Sequence, residues 1–366
     1  MTSIQQSFHA YEARLRKELG RELVAKDLAR KHAKLAESPF AFLRGTYWRW
    51  AETILEVCPD LEGANPVLAV GDVHLENFGT WRDADGRLVW GVNDFDEAAE
   101  MPYALDLVRL AASALLAVPD RGQSRVAPRA PSAAAICSAI LEGYRGGLDA
   151  PKAIVLDRDW GWLREMLVVS DKQRAKFWSK IEAAKPEPAP ARYRRVLAAA
   201  MPQPRLDVRT ARRTAGTGSL GRPRWIGRAE WRGAPVVREL KVVLPSAWHR
   251  GPARAHQAIR CIEIAGGRFR ASDPWYRLDG NLLVRRLSPN NRKIEADDDD
   301  GGVSLLAPDL LRAMGLELAN VHLGIGNPRA AILRDLAHRE DAWLRTNAKR
   351  AAAAVARDYE EWKASN

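Results

Sequence analysis

Two short apolar runs, each ending in a turn crowded with carboxylate and amide side chains, constrain this chain more than any other feature. Val67-Leu68-Ala69-Val70 leads into Gly71-Asp72-Val73-His74-Leu75-Glu76-Asn77-Phe78-Gly79, and Leu88-Val89-Trp90-Gly91-Val92 leads into Asn93-Asp94-Phe95-Asp96. Short apolar runs bounded by such turns read as buried strands. Two strands would thus bring Asp72, Asn77 and Asp94 to one edge. Asp and Asn also favour turns on their own, because their side chains hydrogen-bond nearby backbone. The bland reading is therefore a pair of loops. The Gly-Asp-x-His opening, the following asparagine and the Asp-Phe-Asp together favour a site.

With 366 residues, 46% of them hydrophobic, the chain can bury a substantial core and is long enough for two lobes. No run approaches the ~18 apolar residues of a membrane span, and Met1 to Ala10 lacks the basic start and apolar stretch of a secretion signal. Cys58, Cys137 and Cys261 form no C-x-x-C pair, which fits buried thiols in a reducing, cytoplasmic setting. A formal net charge of +11 favours polyanionic partners. Arginine spreads that charge along the chain, so nucleic acid is not the favoured partner.

Residues 3–35 place Leu15, Leu19, Leu23 and Leu28 at helical spacing and predict one or two amphipathic helices. Pro39 opens a further helix carrying Tyr47, Trp48 and Trp50 towards Leu55, with the aromatics in the core. Residues 103–118 predict an alanine-rich helix on which Asp106 and Arg109 share a face. These two form either a surface ion pair or a brace in which Asp106 supports the acidic loop from a helix start. A loop over 119–131, a helix over 132–144 and a charged helical stretch over 163–181 follow. Lys185-Pro186-Glu187-Pro188-Ala189-Pro190 is the clearest linker, since spaced prolines favour extended polyproline II.

Beyond the linker the pattern turns to strands, over 206–214, 224–230 and 236–243, with Arg232-Gly233 turning the second into the third. Gly216-Thr217-Gly218-Ser219-Leu220-Gly221 lies between the first two. A dinucleotide-binding glycine motif must open a helix, and the Arg222-Pro223-Arg224-Trp225 that follows does not. A glycine-rich hairpin folded over phosphates fits instead, and no Walker motif exists. Lys241 sits among apolar residues of the third strand, where alternation puts Val237, Glu239 and Lys241 on one face. It is either a strand lysine reaching water or a phosphate ligand, and the glycine hairpin favours the second. Residues 255–265 predict a helix whose Glu263 is a candidate ion-pair partner for Lys241. Residues 282–287 predict a last strand, a candidate hinge beside an adenine. The acidic run over 295–302 predicts a solvated loop. Helices over 307–322 and 328–363 close the chain, Asn327 and Pro328 being the expected cap and first position of the second.

The Gly71-Asp72-x-His74-x-x-Asn77, Asp94-Phe95-Asp96 and Asp106-Leu107 segments resemble the aminoglycoside phosphotransferase branch of the kinase-like superfamily. Together with Ser38-Pro39-Phe40-Ala41-Phe42-Leu43-Arg44-Gly45, Asp106-Leu107-Val108-Arg109-Leu110 and the glycine motif, they resemble more closely the bacterial family called domain of unknown function 2252. The kinase-like resemblance implies Asp72 as catalytic base, Asn77 and Asp94 as magnesium ligands, and Gly216, Gly218, Ser219, Gly221 and Lys241 around the phosphates of ATP. It implies supporting roles for His74 in orienting the loop, for Asp106 as a brace, and for Asp96 and Glu263. Kinases place the glycine loop and lysine before the catalytic aspartate, whereas here they follow it. A circular permutation accounts for that order, because domain termini often lie close together. The expected fold is α+β, a protein-kinase-like two-lobe fold with the lobes permuted. Residues 1–185 would form a mainly helical catalytic lobe and 195–292 a β-rich nucleotide-binding lobe, with 303–366 as helices packing back on the first.

The expected function is an ATP- and magnesium-dependent phosphotransferase acting on a hydroxyl of a small molecule or protein. Nucleotidyl transfer by the same site, with ATP reversed, would leave AMP on the acceptor instead. A binuclear metallophosphoesterase shares Gly-Asp-x-His but needs further histidines and a Gly-Asn-His segment, which the seven histidines here do not supply. A non-catalytic nucleotide sensor or nucleic-acid-binding protein is the remaining reading, and nucleic-acid binding would weaken steeply with salt.

Overall fold

The first helix starts where the sequence sets a cap. The Ser3 hydroxyl accepts from the Gln6 N–H and the Gln6 side chain accepts from the Ser3 N–H, closing a capping box. The computed structural model describes residues 2–118, 130–248, 258–294 and 305–365. Helices Ile4–Leu19 and Ala25–Leu35 bury Leu15, Leu19 and Leu28 as their spacing predicts. Ser38 caps the helix Pro39–Gly45, with Pro39 in its first turn. The single helix expected from Pro39 to Leu55 is two, because Thr46 leaves helical geometry and Tyr47–Val57 starts afresh. Tyr47, Trp48 and Trp50 are buried in the core.

Among the described residues ten strands follow in chain order: β1 Pro66–Ala69, β2 Phe78–Arg82, β3 Leu88–Val92, β4 Ala99–Pro102, β5 Ile154–Val155, β6 Arg209–Arg212, β7 Arg224–Trp231, β8 Ala234–Val242, β9 Arg277–Asp279 and β10 Leu282–Leu287. They form three antiparallel sheets, β1-β4, β2-β3-β5 and β6-β7-β8-β10-β9. The two apolar runs therefore lie in different sheets rather than side by side. Arg232 and Gly233 both take positive φ, 52° and 75°, which matches the twist of the β7–β8 hairpin they close.

Helix Pro308–His322 packs on Ala133–Asp149, and Trp343–Ala364 packs on Tyr103–Leu116, so the C-terminal helices return to the first half. Glycine permits the first of these crossings. A Cβ on Gly143 would lie 1.9 Å from the Arg312 carbonyl oxygen, and one on Gly315 would lie 2.1 Å from that of Ile140. One apolar core runs from Ile4 to Trp362 and takes in Trp225, Leu240 and Leu283 of the large sheet. A second, smaller cluster joins Ile181, with Phe177 and Trp178 beside it, to Ala211, Ile226 and Val237. Helix Asp171–Glu182 thus packs with the large sheet, and so does Ala191–Ala199. The proline stretch is tied to β6, Glu187 N donating to the Thr210 carbonyl at 2.9 Å and Ala189 N to the Thr210 hydroxyl at 3.0 Å. The unit built on the sheet accordingly begins ahead of the linker.

Smaller departures have local causes. The stretch 163–181 is two helices, Gly161–Met166 and Asp171–Glu182, with Ser170 capping the second. The last stretch is Arg329–His338 and then Trp343–Ala364. Pro328 takes the cap position expected of Asn327, without a side-chain bond. Of the helix expected over 255–265, Cys261–Ala265 is formed and 255–257 fall outside the described residues. The loop expected over 119–131 falls outside them except for its last two residues, and the acidic run over 295–302 entirely. All three cysteines are buried, and burial pushes the Cys58 and Cys261 thiols up to about 12 and that of Cys137 to about 11. Among the described residues no helix is long and apolar enough to cross a membrane.

Candidate active site

Asp106 lies in the first turn of helix Tyr103–Leu116 and is fully buried. Its Oδ2 accepts from Val70 N at 2.8 Å and its Oδ1 from Gly71 N at 2.9 Å, while His322 Nε2 lies 3.1 Å from Oδ2. The carboxylate therefore braces the backbone that presents Asp72, and the surface ion pair with Arg109 does not form. Arg109, one turn on, reaches Asp72 itself: one Nη donates to Asp72 Oδ1 at 2.5 Å and to the Leu43 carbonyl at 2.9 Å. Its guanidinium lies over the rings of Tyr47 and Trp50, 5.0 Å from each centroid, and its Nε and other Nη find no acceptor. The π-faces take that side of the cation.

Asn77 ends a short 3-10 turn and directly precedes β2, while Asp94 lies just past the end of β3. Because Phe78 pairs with Val92, the β2–β3 register sets the two turns opposite each other. The Asn77 amide joins them, donating to the Asp72 and Asp94 carbonyls at 3.1 Å each. Its own oxygen, Oδ1, is buried with no hydrogen-bond partner.

Lys241 arrives from β8 with its Nζ 2.8 Å from Asp94 Oδ1 and 2.6 Å from Asp96 Oδ1. Burial alone would raise Asp94, but Lys241, Lys293 and Arg285 outweigh it and hold the carboxyl well below its usual range. Burial and the Asp94 charge push Asp96 up. The expected pairing of Lys241 with Glu263 is not found. Helix Cys261–Ala265 buries Cys261 and Ile264, which turns Glu263 outward to Arg260, at 2.7 and 2.5 Å. Glu239, on the same strand as Lys241, gathers Arg224, Arg285 and Arg213 at 2.8, 2.7 and 3.2 Å. Burial opposes its ionisation, and the three arginines still hold it well below the usual range.

The glycine motif turns β6 into β7. Gly216 and Gly221 take φ of +75° and +94°, a region other residues enter only with strain. Gly218 lies over the Asp72 turn: a Cβ there would be 3.5 Å from Asp72 Oδ2 and 3.4 Å from the Arg44 carbonyl oxygen. The Ser219 hydroxyl accepts from Arg224 at 2.7 Å. Lys31 Nζ donates to the Gly218 carbonyl at 3.0 Å and Val24 N to the Gly221 carbonyl at 2.9 Å, so the N-terminal helices hold the motif down.

One cleft of about 610 Å³ is lined by Asp72, Asn77, Asp94, Gly216, Gly218 and Ser219 among others, a size usual for small-ligand sites. Burial pushes the Asp72 carboxyl up to about 6, with Glu97 and Asp94 adding to the rise and Arg109 opposing it. His74 lines the cleft too, held neutral by burial and by Arg44, Lys293 and Arg109. Its Nδ1 is buried without a partner, so the loop is held by Asp106 rather than through that atom. Sequence reasoning missed the Arg109–Asp72 pair, the Lys31 contact and Lys293. The first was hidden by the closer spacing of Arg109 to Asp106, and the others carry no motif.

The oxygens present suit magnesium. The unbonded Asn77 Oδ1 and the Asp94 carboxylate are hard ligands, and magnesium sites use one or two carboxylates completed by phosphates and water. Among the described residues no three His, Cys, Asp or Glu side chains group as a metal site, so no binuclear centre is found there.

The model of the family described as "Uncharacterized protein conserved in bacteria (DUF2252)" matches residues 21–185, and in this stretch the chain is similar to that family. The matched stretch carries Asp72, Asn77, Asp94 and Asp106 and ends before the glycine motif and Lys241. No curated protein and no solved structure matches the chain.

Proposed function

We propose that this chain is an ATP- and magnesium-dependent phosphotransferase acting on a hydroxyl, with a protein-kinase-like arrangement of permuted lobes. The observation that carries the reading is the ion pair of Lys241 with Asp94, across a separation of 147 positions. A lysine on the third strand of a sheet, a glycine turn between the first two strands and an aspartate–asparagine turn beneath them are the parts of a phosphoryl-transfer site. Asp72, with its carboxyl near 6, is ionised at neutral pH and suited to a general base. It would take the acceptor's proton as the acceptor oxygen bonds to the terminal phosphorus and the bond to ADP breaks. Arg109 and the Asn77 amide fix where Asp72 stands, and Asp106 fixes the backbone behind it. Magnesium, held by Asn77 Oδ1 and Asp94, would neutralise phosphate charge when bound. The buried thiols fit a cytoplasmic setting.

A thermal-shift titration with ATP, with and without magnesium, tests this on the wild type, Asp94→Asn, Lys241→Ala and, as a control, Glu263→Ala. Ligand at 100 times its dissociation constant stabilises by about 2.7 kcal/mol. At about 2.1 cal/mol/K of unfolding entropy per residue, that is about 3–4 °C for a chain of this length. The expected result is a magnesium-dependent shift in the wild type and Glu263→Ala, lost in the other two. Absence of a shift with any nucleotide would refute the reading. Mass analysis of a modified acceptor then separates phosphoryl from nucleotidyl transfer, the first adding phosphate and the second AMP.

A further inference from the structure

We propose that Lys293, with Arg44 beside it, holds the terminal phosphate of the nucleoside triphosphate, in a subsite separate from that of Lys241. The inference rests on the phosphotransferase reading and deepens it.

Lys293 reaches the cleft by a route the sequence does not announce. After β10 the chain docks along β2: Thr80 N donates to the Arg292 carbonyl at 2.8 Å, the Thr80 hydroxyl to that of Asn290 at 2.7 Å, and Arg292 N to the Thr80 hydroxyl at 2.9 Å. An antiparallel bridge then pairs Lys293 with Gly79. Gly79 allows the approach, since a Cβ there would lie 2.6 Å from the Arg292 carbonyl oxygen and 3.1 Å from Lys293 Cγ. The last glycine of the Gly71–Gly79 motif thereby has a physical reason. β2 starts directly after Asn77, so this docking sets Lys293 beside the catalytic turn.

The two lysines are in different states. Lys241 is engaged by Asp94 and Asp96. Lys293 pairs with no carboxylate among the described residues, although Asp94 is the charge that acts on it most, followed by the cations Arg285, Lys241 and Arg44. Burial lowers its amine to about 8. Arg44 bonds Glu76 through one Nη at 2.5 Å, and its buried Nε donates to nothing. Both side chains line the cleft. An ammonium has three donors, and a desolvated cation without an anion is costly. The unpartnered Arg44 Nε and the half-buried Lys293 ammonium, which pairs with no carboxylate among the described residues, together suit an anion supplied from outside. The group being transferred must pass between the nucleotide and Asp72. Lys293 stands on the β2 side, at the turn that carries Asp72 and Asn77, whereas Lys241 approaches from the large sheet.

Titration calorimetry with Mg·ATP and with Mg·ADP tests the assignment on the wild type, Lys293→Ala, Lys293→Gln, Lys293→Arg and Lys241→Ala, each checked for folding by circular dichroism. Lys293→Ala and Lys293→Gln should bind Mg·ATP at least about tenfold more weakly, as for loss of a charge-assisted bond, and keep Mg·ADP within about threefold. Lys293→Arg should keep most of the preference for ATP, and Lys241→Ala should weaken both nucleotides. Equal effects of the two neutral Lys293 variants on ATP and ADP, or no effect on either, would overturn the inference while leaving the phosphotransferase reading in place. A wild type that binds neither nucleotide would overturn both.

Discussion

Replacing Arg109 with methionine removes the cation that holds Asp72 while keeping most of the side chain's volume between Tyr47 and Trp50. Arg109 is buried and Asp72 is mostly so, and taking one partner from a buried pair costs about 3–5 kcal/mol. With unfolding entropy near 2.1 cal/mol/K per residue, the melting temperature should fall by about 4–7 °C at pH 8. The size of the loss should depend on pH, and its sign follows from the Asp72 carboxyl. Burial already raises that group from its ordinary 3.8 to about 6, and Arg109 is the charge pulling it down. Without Arg109 it rises further. A carboxyl raised by folding contributes stability below its unfolded pKa and loses it as pH rises through the folded one. The wild type and the variant therefore differ little through this group well below pH 6, and the gap opens as pH rises above 6. Thermal melts at pH 5, 6.5 and 8 should show a smaller difference at pH 5 than at pH 8. Adding Asp72→Asn should recover part of the loss at pH 8, because no unpaired charge remains. A gap equal at pH 5 and pH 8, with no recovery from Asp72→Asn, would refute the coupling.

Asp106→Ala should leave the buried Val70 and Gly71 N–H groups unpaired, at about 1–3 kcal/mol each, and lower the urea midpoint of the whole chain. Gly143→Ala should cost about 1–3 kcal/mol, because its methyl group meets the Arg312 carbonyl and the two helices must part. Gly146→Ala, on the same helix with open space at that position, should instead stabilise by about 0.5–1 kcal/mol through helix propensity, as read by the same melts.

The sequence by itself determined whatever depends on near neighbours. The turn at Arg232-Gly233 and the inward leucines of the first two helices are local in origin, and pattern reasoning reaches them; the caps at Ser3, Ser38 and Ser170, which it passed over, are equally local. So was the grouping of Asp72, Asn77 and Asp94, since the motif residues flank two strands that pair. The pairing itself took a different form. Asn77 and Asp94 are opposed through β2, a strand hidden by its Gly79 and Arg82, and not by neighbouring apolar runs. β4, with Glu100 and Pro102 among its four residues, was equally silent. Tertiary structure alone decided which charge meets which. Spacing offered Arg109 to Asp106, because a helix presents partners three residues apart, and the next helix in the chain offered its Glu263 to Lys241. Burial instead sent Arg109 to Asp72, left Asp106 for backbone N–H groups, and gave Lys241 to Asp94 and Asp96. A desolvated charge takes whichever opposite charge the packed core sets within reach, and that reach spans 147 positions for Lys241. Local periodicity fixes the elements, but the low dielectric of a shared core chooses their ion pairs.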